Sequence, residues 1–168
     1  SNQRLVAVEV GEKFGLSARI GFLACLISAA VSYGVVLVVF RFPVASILIA
    51  LLRSWVALPS YVTATSVALG LAALFPSVPL SGYAILEGGL AGFLVPATLA
   101  ALYPTAVLSS VLHGRVDEAS RMSHFRAARA WGMSWMPLFH RAALRPSAAV
   151  WLTSWMNQAG LVFFTTFL

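Results

Sequence analysis

From Ile20 to Phe40 the chain carries no charged side chain, and most of its residues are aliphatic or aromatic. A helix of that length matches the ~30 Å hydrocarbon core of a bilayer. In lipid every backbone N–H and C=O must find a partner within the protein, so such a run folds as a helix. Three further apolar stretches follow, at about 54–75, 90–112 and 147–168. The whole chain is 60% hydrophobic and 10% charged, against about 25% charged in an ordinary soluble domain. The predicted fold is an all-α, multi-span helical bundle forming one transmembrane domain over residues 1–168.

Within the first span Ala24, Ser28 and Ser32 recur every four residues, which predicts a seam where a second helix packs closely. Arg41 and Pro43 end this span. Residues 1–17 mix Arg4, Glu9, Glu12 and Lys13 with Gly11 and Gly15, predicting an irregular or short helical lead-in. The start SNQRLVAVEVGEK lacks a basic region followed by a short apolar region and a cleavage site, so it does not read as a signal peptide. Arg53 and Pro59 divide the next stretch into an interfacial or tilted piece, 44–53, and a second span, 54–75, kinked near Pro59. Arg53 can snorkel to the interface, and Trp55 suits the aromatic belt. Residues 76–89 hold two prolines and three glycines and read as a loop. The third span contains Pro96 and Pro104, tolerated where neighbouring helices or water satisfy the freed carbonyls. In the fourth span, Thr153 with Asn157 and Ser154 with Gln158 stand four residues apart, which predicts a polar strip. Such a strip serves either interhelical hydrogen bonds, worth about 0.6 kcal/mol each, or the lining of a path for a polar solute.

A polar island, His113 to Pro146, separates the third and fourth spans. It holds six of the eleven basic residues, two of the five acids and all three histidines. Asp117 and Glu118 fall where the dipole favours a helix start, and Arg126 and Arg129 where it favours a helix end. Gly132 stops that helix by taking the left-handed cap conformation. Ser134 then caps a second short helix with Pro137 in its first turn, and Pro146 marks the end. Ala127, Ala128 and Ala130 give a low-profile face beside the turn. The plain alternative is a solvated connection between two membrane helices. Six arginines against two acids place the island in the cytoplasm; the 76–89 loop, without a basic residue, falls outside. The N-terminus then falls outside and 41–53 inside. The +6 charge is read as this topology signal, not as a nucleic-acid footprint.

Phe125-Arg126-Ala127-Ala128-Arg129-Ala130-Trp131-Gly132 resembles the cytoplasmic signature loop of bacterial ABC-importer permeases of the dipeptide/oligopeptide/nickel branch, whose pattern runs roughly Y-V-R-T-A-R-A-K-G. Arg141-Ala142-Ala143-Leu144-Arg145-Pro146 is similar to the family's R-H-A-L-R-N/P. Leu58-Pro59-Ser60-Tyr61, Pro79-Leu80-Ser81-Gly82-Tyr83 and Val95-Pro96-Ala97-Thr98-Leu99 are similar to its V-P-S-F, P-x-S-G-Y and L-P-A-L-T-L. The five patches keep the family's order over roughly residues 55–150. Trp131 replaces the usual lysine, and Ala142 the usual histidine. The resemblance implies a permease subunit in a bacterial inner membrane, crossing it several times. Arg126, Ala127, Ala128, Arg129, Ala130, Trp131 and Gly132 would form the loop that couples it to cytoplasmic ATPase subunits. It also implies a second permease subunit and an extracytoplasmic solute-binding protein. ATP and magnesium would be held by the partners, with no cofactor on this chain. Thr153, Ser154, Asn157 and Gln158 are the candidate lining of the solute path.

The remaining chemistry is sparse. No GxxxxGK[ST], GxSxG, HExxH or CxxC motif occurs. The histidines lack metal-ligand spacing, and Cys25 stands alone. No acid lies within a predicted span, whereas a proton-coupled transporter usually keeps an ionisable group there. The reading is a non-enzyme: a permease subunit or, alternatively, a structural or assembly subunit of a membrane complex without its own pathway.

Overall fold

A computed structural model describes residues 2–57, 60–74 and 89–167. Every element among these residues is helical: α1 (Asn2–Arg41), a 3-10 turn (Pro43–Ala45), α2 (Ser46–Val56), α3 (Ser60–Leu74), α4 (Gly89–Arg121), α5 (Ser123–Ala130), α6 (Trp135–Pro137), a π-helical segment (Leu138–Leu144) and α7 (Arg145–Phe167). Two stretches, Phe14–Arg41 in α1 and Phe93–Arg121 in α4, are long and apolar enough to cross a membrane. That pair marks the chain as a candidate membrane protein.

The element boundaries differ from the sequence expectations in four places. First, α1 begins at Asn2, not near residue 20. Gly11 and Gly15 do not break it, and no side chain crowds either position; its apolar part still ends at Arg41, as Pro43 requires. Second, α2 runs through Arg53 to Val56, so Arg53 does not divide the 44–75 stretch. Arg53 lies in the last turn, where a cation suits the helix dipole. Residues 58–59 and the 76–88 part of the loop lie outside the described residues, including the kink expected at Pro59. What is described of the second span is α3, whose 15 residues reach only about 22 Å at ~1.5 Å each.

Third, α4 continues to Arg121, well past the expected end at 112. Asp117 and Glu118 therefore close a long helix and do not open a short one. Same-helix arginines neutralise them at the dipole's negative end, with Arg121 to Asp117 at 2.8 Å and Arg115 to Glu118 at 2.9 Å. Fourth, Pro146 does not end a helix but lies in the first turn of α7. The preceding segment is π-helical, and the Arg145 N–H reaches back to the His140 carbonyl. Pro146 has no N–H to offer the carbonyl four residues earlier, that of Ala142. His124 Nε2 lies 3.1 Å from this Ala142 oxygen and can donate to it. The proline thus creates an acceptor, and α5 supplies its donor.

Packing centres on α1, α4 and α7, which contact one another, with α2 against α4. The predicted small-residue seam is present: Ala24, Ser28 and Ser32 are all buried, and Val36 continues the series. Ser28 and Ser32 hydroxyls donate to carbonyls three residues back, Cys25 and Ala29, so the seam exposes no unpaired donor to the partner helix. One apolar cluster joins Ala24 and Cys25 of α1 to Ala97 and Ala101 of α4 and Val162 of α7. Beside it the Trp155 indole donates to the Cys25 carbonyl at 3.0 Å. A second cluster lies at the polar-island end, where Val36 and Val39 meet Leu112, Val116, Phe125 and Phe139.

Candidate functional site

The eight residues of α5 show why the island folds back onto the bundle. Phe125 is the one buried residue of this helix. Its ring meets Phe40 of α1 edge-on at 6.1 Å; Phe40 meets Phe139 at 5.0 Å, and Phe139 meets Tyr33 at 6.0 Å. Aromatic pairs at such separations add about 0.5–1.5 kcal/mol beyond area burial. The chain of rings therefore ties α5 to α1 and to the π-helical segment that leads into α7.

The helix ends in a Schellman motif. Gly132 sits at φ +77°, the one positive φ among the described residues. Its N–H bonds the Arg129 carbonyl at 3.0 Å, and the Met133 N–H bonds the Ala128 carbonyl at 3.3 Å. Met133 and Ala128 both pack against the buried cluster, which completes the apolar contact that accompanies this cap. Gly132 is therefore the stop signal that its residue type predicts. Ser134 occupies the N-cap position of α6, but its hydroxyl makes no capping bond; the segment starts without the side-chain cap expected there.

With Phe125 and Ala128 turned inward, the opposite face of α5 points away from the bundle. Arg126, Ala127 and Ala130 are exposed on it, while Arg129, one turn after Phe125, is exposed at the edge of α5 that faces the end of α1. Trp131 is 85% exposed. The low-profile face is thus Ala127 and Ala130, whereas Ala128 belongs to the packed side. Among the described residues Arg126 and Arg129 form no ion pair, since both island acids are taken by Arg115 and Arg121. The result is a small, basic, aromatic-tipped surface on a short helix whose root is fixed in the core.

A second polar contact ties the island to α1. Tyr33 Oη and His140 Nε2 are 2.6 Å apart, and His140 Nδ1 lies 3.0 Å from the Met136 carbonyl. A carbonyl only accepts, so Nδ1 carries the proton; Nε2 of the neutral ring then accepts from the Tyr33 hydroxyl. Neither this contact nor the π-helical turn was legible in the sequence. The only available signal was Pro137 and Pro146 bracketing eight apolar and basic residues.

The fourth-helix residues separate into two environments. Thr153 and Asn157 are exposed, and the Thr153 hydroxyl is satisfied by the Ala149 carbonyl. Ser154 is half-buried and Gln158 buried, facing the bundle. Adjacent helical residues differ by about 100° in direction, so the two i,i+4 pairs make neighbouring stripes and not one face. Gln158 Oε1 is buried without a hydrogen-bond partner. An unpaired buried polar group costs about 1–3 kcal/mol. Gln158→Leu is therefore expected to raise thermal stability or leave it unchanged. If Gln158 serves a solute path, the same variant lowers uptake. Unchanged uptake with raised stability would assign Gln158 to packing.

Among the described residues no three His, Cys, Asp or Glu side chains gather as metal ligands. No protein-family model, no curated protein and no solved structure matches the chain.

Proposed function

We propose that the chain is a membrane-spanning permease subunit of an ATP-driven importer for peptides or related small solutes. The observation that carries this reading is α5: a short helix with a buried aromatic root, an exposed Ala127–Ala130 face and, on that face, Arg126 with no ion-pair partner among the described residues, stopped by a left-handed glycine. Such a helix can seat in a groove of a cytoplasmic ATPase subunit, and Arg126 can make charge-assisted bonds to a carboxylate there. Movement of the ATPase would pass through Phe125 and Phe40 into α1, and through Phe139 toward α7. The outward surface supports a lipid or partner-helix environment. Phe22, Leu26 and Val38 on α1 are exposed, as are Leu152, Met156, Leu161 and Phe164 on α7, and soluble monomers rarely show such apolar continuity.

In this reading the four crossings are α1, α4, α7 and the 54–75 stretch that contains α3. The polar residues Thr153 to Gln158 lower the apolarity of α7, as a helix beside a polar path requires. A second permease subunit completes the path, and an extracytoplasmic binding protein delivers the solute. ATP and magnesium belong to the ATPase partners.

The test is co-purification of the tagged chain from its native membrane. A nucleotide-binding subunit is expected to elute with it and to hydrolyse ATP. Isolation in a membrane complex that lacks such a subunit would favour an assembly role. Topology offers a separate check. In a Cys25→Ser background, single cysteines at Ser81 and Ala130 are expected to react with an impermeant maleimide from opposite sides. Labelling of both from outside would overturn the orientation.

A further inference from the structure

At the island end of the bundle, a cleft of about 700 Å³ opens between the end of α1, the end of α4, α5 and α6. Its apolar wall includes Phe40, Phe125 and Leu138; its charged groups are Arg41, Arg129 and Asp117. The Asp117 carboxylate is engaged by Arg121, whereas Arg41 and Arg129 have no acidic partner among the described residues. Arg41 is also preset. Its guanidinium lies 5.4 Å from the Phe42 ring and 5.5 Å from the Trp135 ring. Two rings within cation–π reach restrict where the guanidinium can lie, and a positioned guanidinium suits bidentate phosphate binding.

The position of the cleft narrows the ligand. Arg41 terminates a membrane-length apolar helix, so its charge sits at the level of the headgroups. Directly after it, Phe42, Val44, Ile47 and Leu51 expose apolar side chains, Val44 to 90%. They begin beside the cleft, where Pro43 and Ser46 line its edge. Phosphate-sized charge complementarity next to a bare apolar strip fits a molecule with an anionic head and an acyl chain. A free anion would use only the arginines.

We infer that this cleft is a binding site for an anionic phospholipid, with the phosphate between Arg41 and Arg129 and an acyl chain along Phe42 and Val44. Basic pockets at the cytoplasmic side of membrane helices take such headgroups. The inference rests on the membrane reading alone and does not require the importer reading. Because Arg129 belongs to α5 and Arg41 to α1, the bound lipid bridges the island helix to a span.

The test uses the purified, detergent-solubilised protein with three probes: short-chain phosphatidylglycerol, phosphatidylcholine of the same chain length and inorganic phosphate. Binding is read as retained lipid in native mass spectrometry and as a thermal shift. Phosphatidylglycerol is expected to bind most tightly. Arg41→Gln and Arg129→Gln are each expected to weaken it by roughly tenfold, the worth of one charge-assisted bond. Asp117→Asn removes the cleft's carboxylate and is expected to tighten binding. That opposite sign tests the idea even if an arginine variant misfolds. Equal retention of the two lipids, unchanged by Asp117→Asn, would overturn the site. A full shift with inorganic phosphate alone would make it a soluble-anion site and overturn the lipid assignment.

Discussion

Phe139→Ala is expected to give the largest stability loss of any single truncation at the island end. Phe139 is fully buried and is the hub where rings from α1 and the π-helical segment meet. Truncating a buried Phe in a soluble core costs about 3–5 kcal/mol, through lost transfer energy and a residual cavity. In a bilayer the transfer component shrinks, because lipid is as apolar as the core, but the cavity and packing components remain. The neighbours have little room to collapse. Tyr33 is held by His140 and Phe40 by Phe125, so the void persists. The measurement is detergent-phase thermal unfolding followed by tryptophan fluorescence. Phe139→Ala should lower the transition strongly, Phe139→Leu should recover part of it, and Phe164→Ala should change it little, since Phe164 is 63% exposed. Equal shifts for Phe139→Ala and Phe164→Ala would show that the aromatic cluster is not the structural root of the island.

Signals that depend on one residue's local chemistry were legible in the sequence. The seam at Ala24, Ser28 and Ser32 is real because a period of four on an apolar helix leaves only one packing face. The cap at Gly132 is real because few residues tolerate positive φ. The signals that failed depend on what lies elsewhere in the fold. Asp117 and Glu118 look like a helix start by the dipole rule, yet two arginines one turn away make them equally tolerable in a last turn. Pro146 looks like a terminator, yet its missing N–H is absorbed by a π-helical turn and by His124 from another helix. Ala128 is indistinguishable from Ala127 in composition; only the position of Phe125 three residues earlier makes it an inner residue. Likewise, i,i+4 spacing pairs Thr153 with Asn157 and Ser154 with Gln158, but which stripe faces the bundle is decided by α1 and α4. The cleft at Arg41 and Arg129 unites residues from α1, α4, α5 and α6 with others from the 3-10 turn, α2 and the π-helical segment, and has no counterpart in the linear pattern.

Ala130→Glu and Gly132→Val are expected to uncouple the chain from its ATPase partner while leaving it inserted, and they do so by different physics. Ala130 is exposed on the outer face of α5, and glutamate is a good helix former, so the helix itself survives. If a groove closes over this face, the new carboxylate is desolvated and takes up Arg126, one turn earlier on the same face, which is then lost to the partner's carboxylates. Losing a charge-assisted bond of about 1.5–3 kcal/mol weakens association roughly ten- to a hundredfold. Gly132→Val acts through the backbone. No atom crowds the position, so nothing but φ +77° opposes a side chain there. A residue held in a sparsely populated backbone region costs about 1–3 kcal/mol, with a β-branched side chain at the upper end. The chain can relieve that strain by giving up the Schellman bonds to Arg129 and Ala128, which frays the end of α5 and swings Trp131. Gly132→Ala should therefore be milder than Gly132→Val, and Ala127→Ser milder than Ala130→Glu. The assay is subunit co-elution and ATP turnover in nanodiscs, with and without binding protein and solute. Uncoupling predicts normal membrane insertion and an unchanged unfolding transition for Ala130→Glu, together with lost co-elution or lost solute stimulation. Full association and full stimulation in both variants would reduce α5 to a solvated connection and remove the main support for the importer reading.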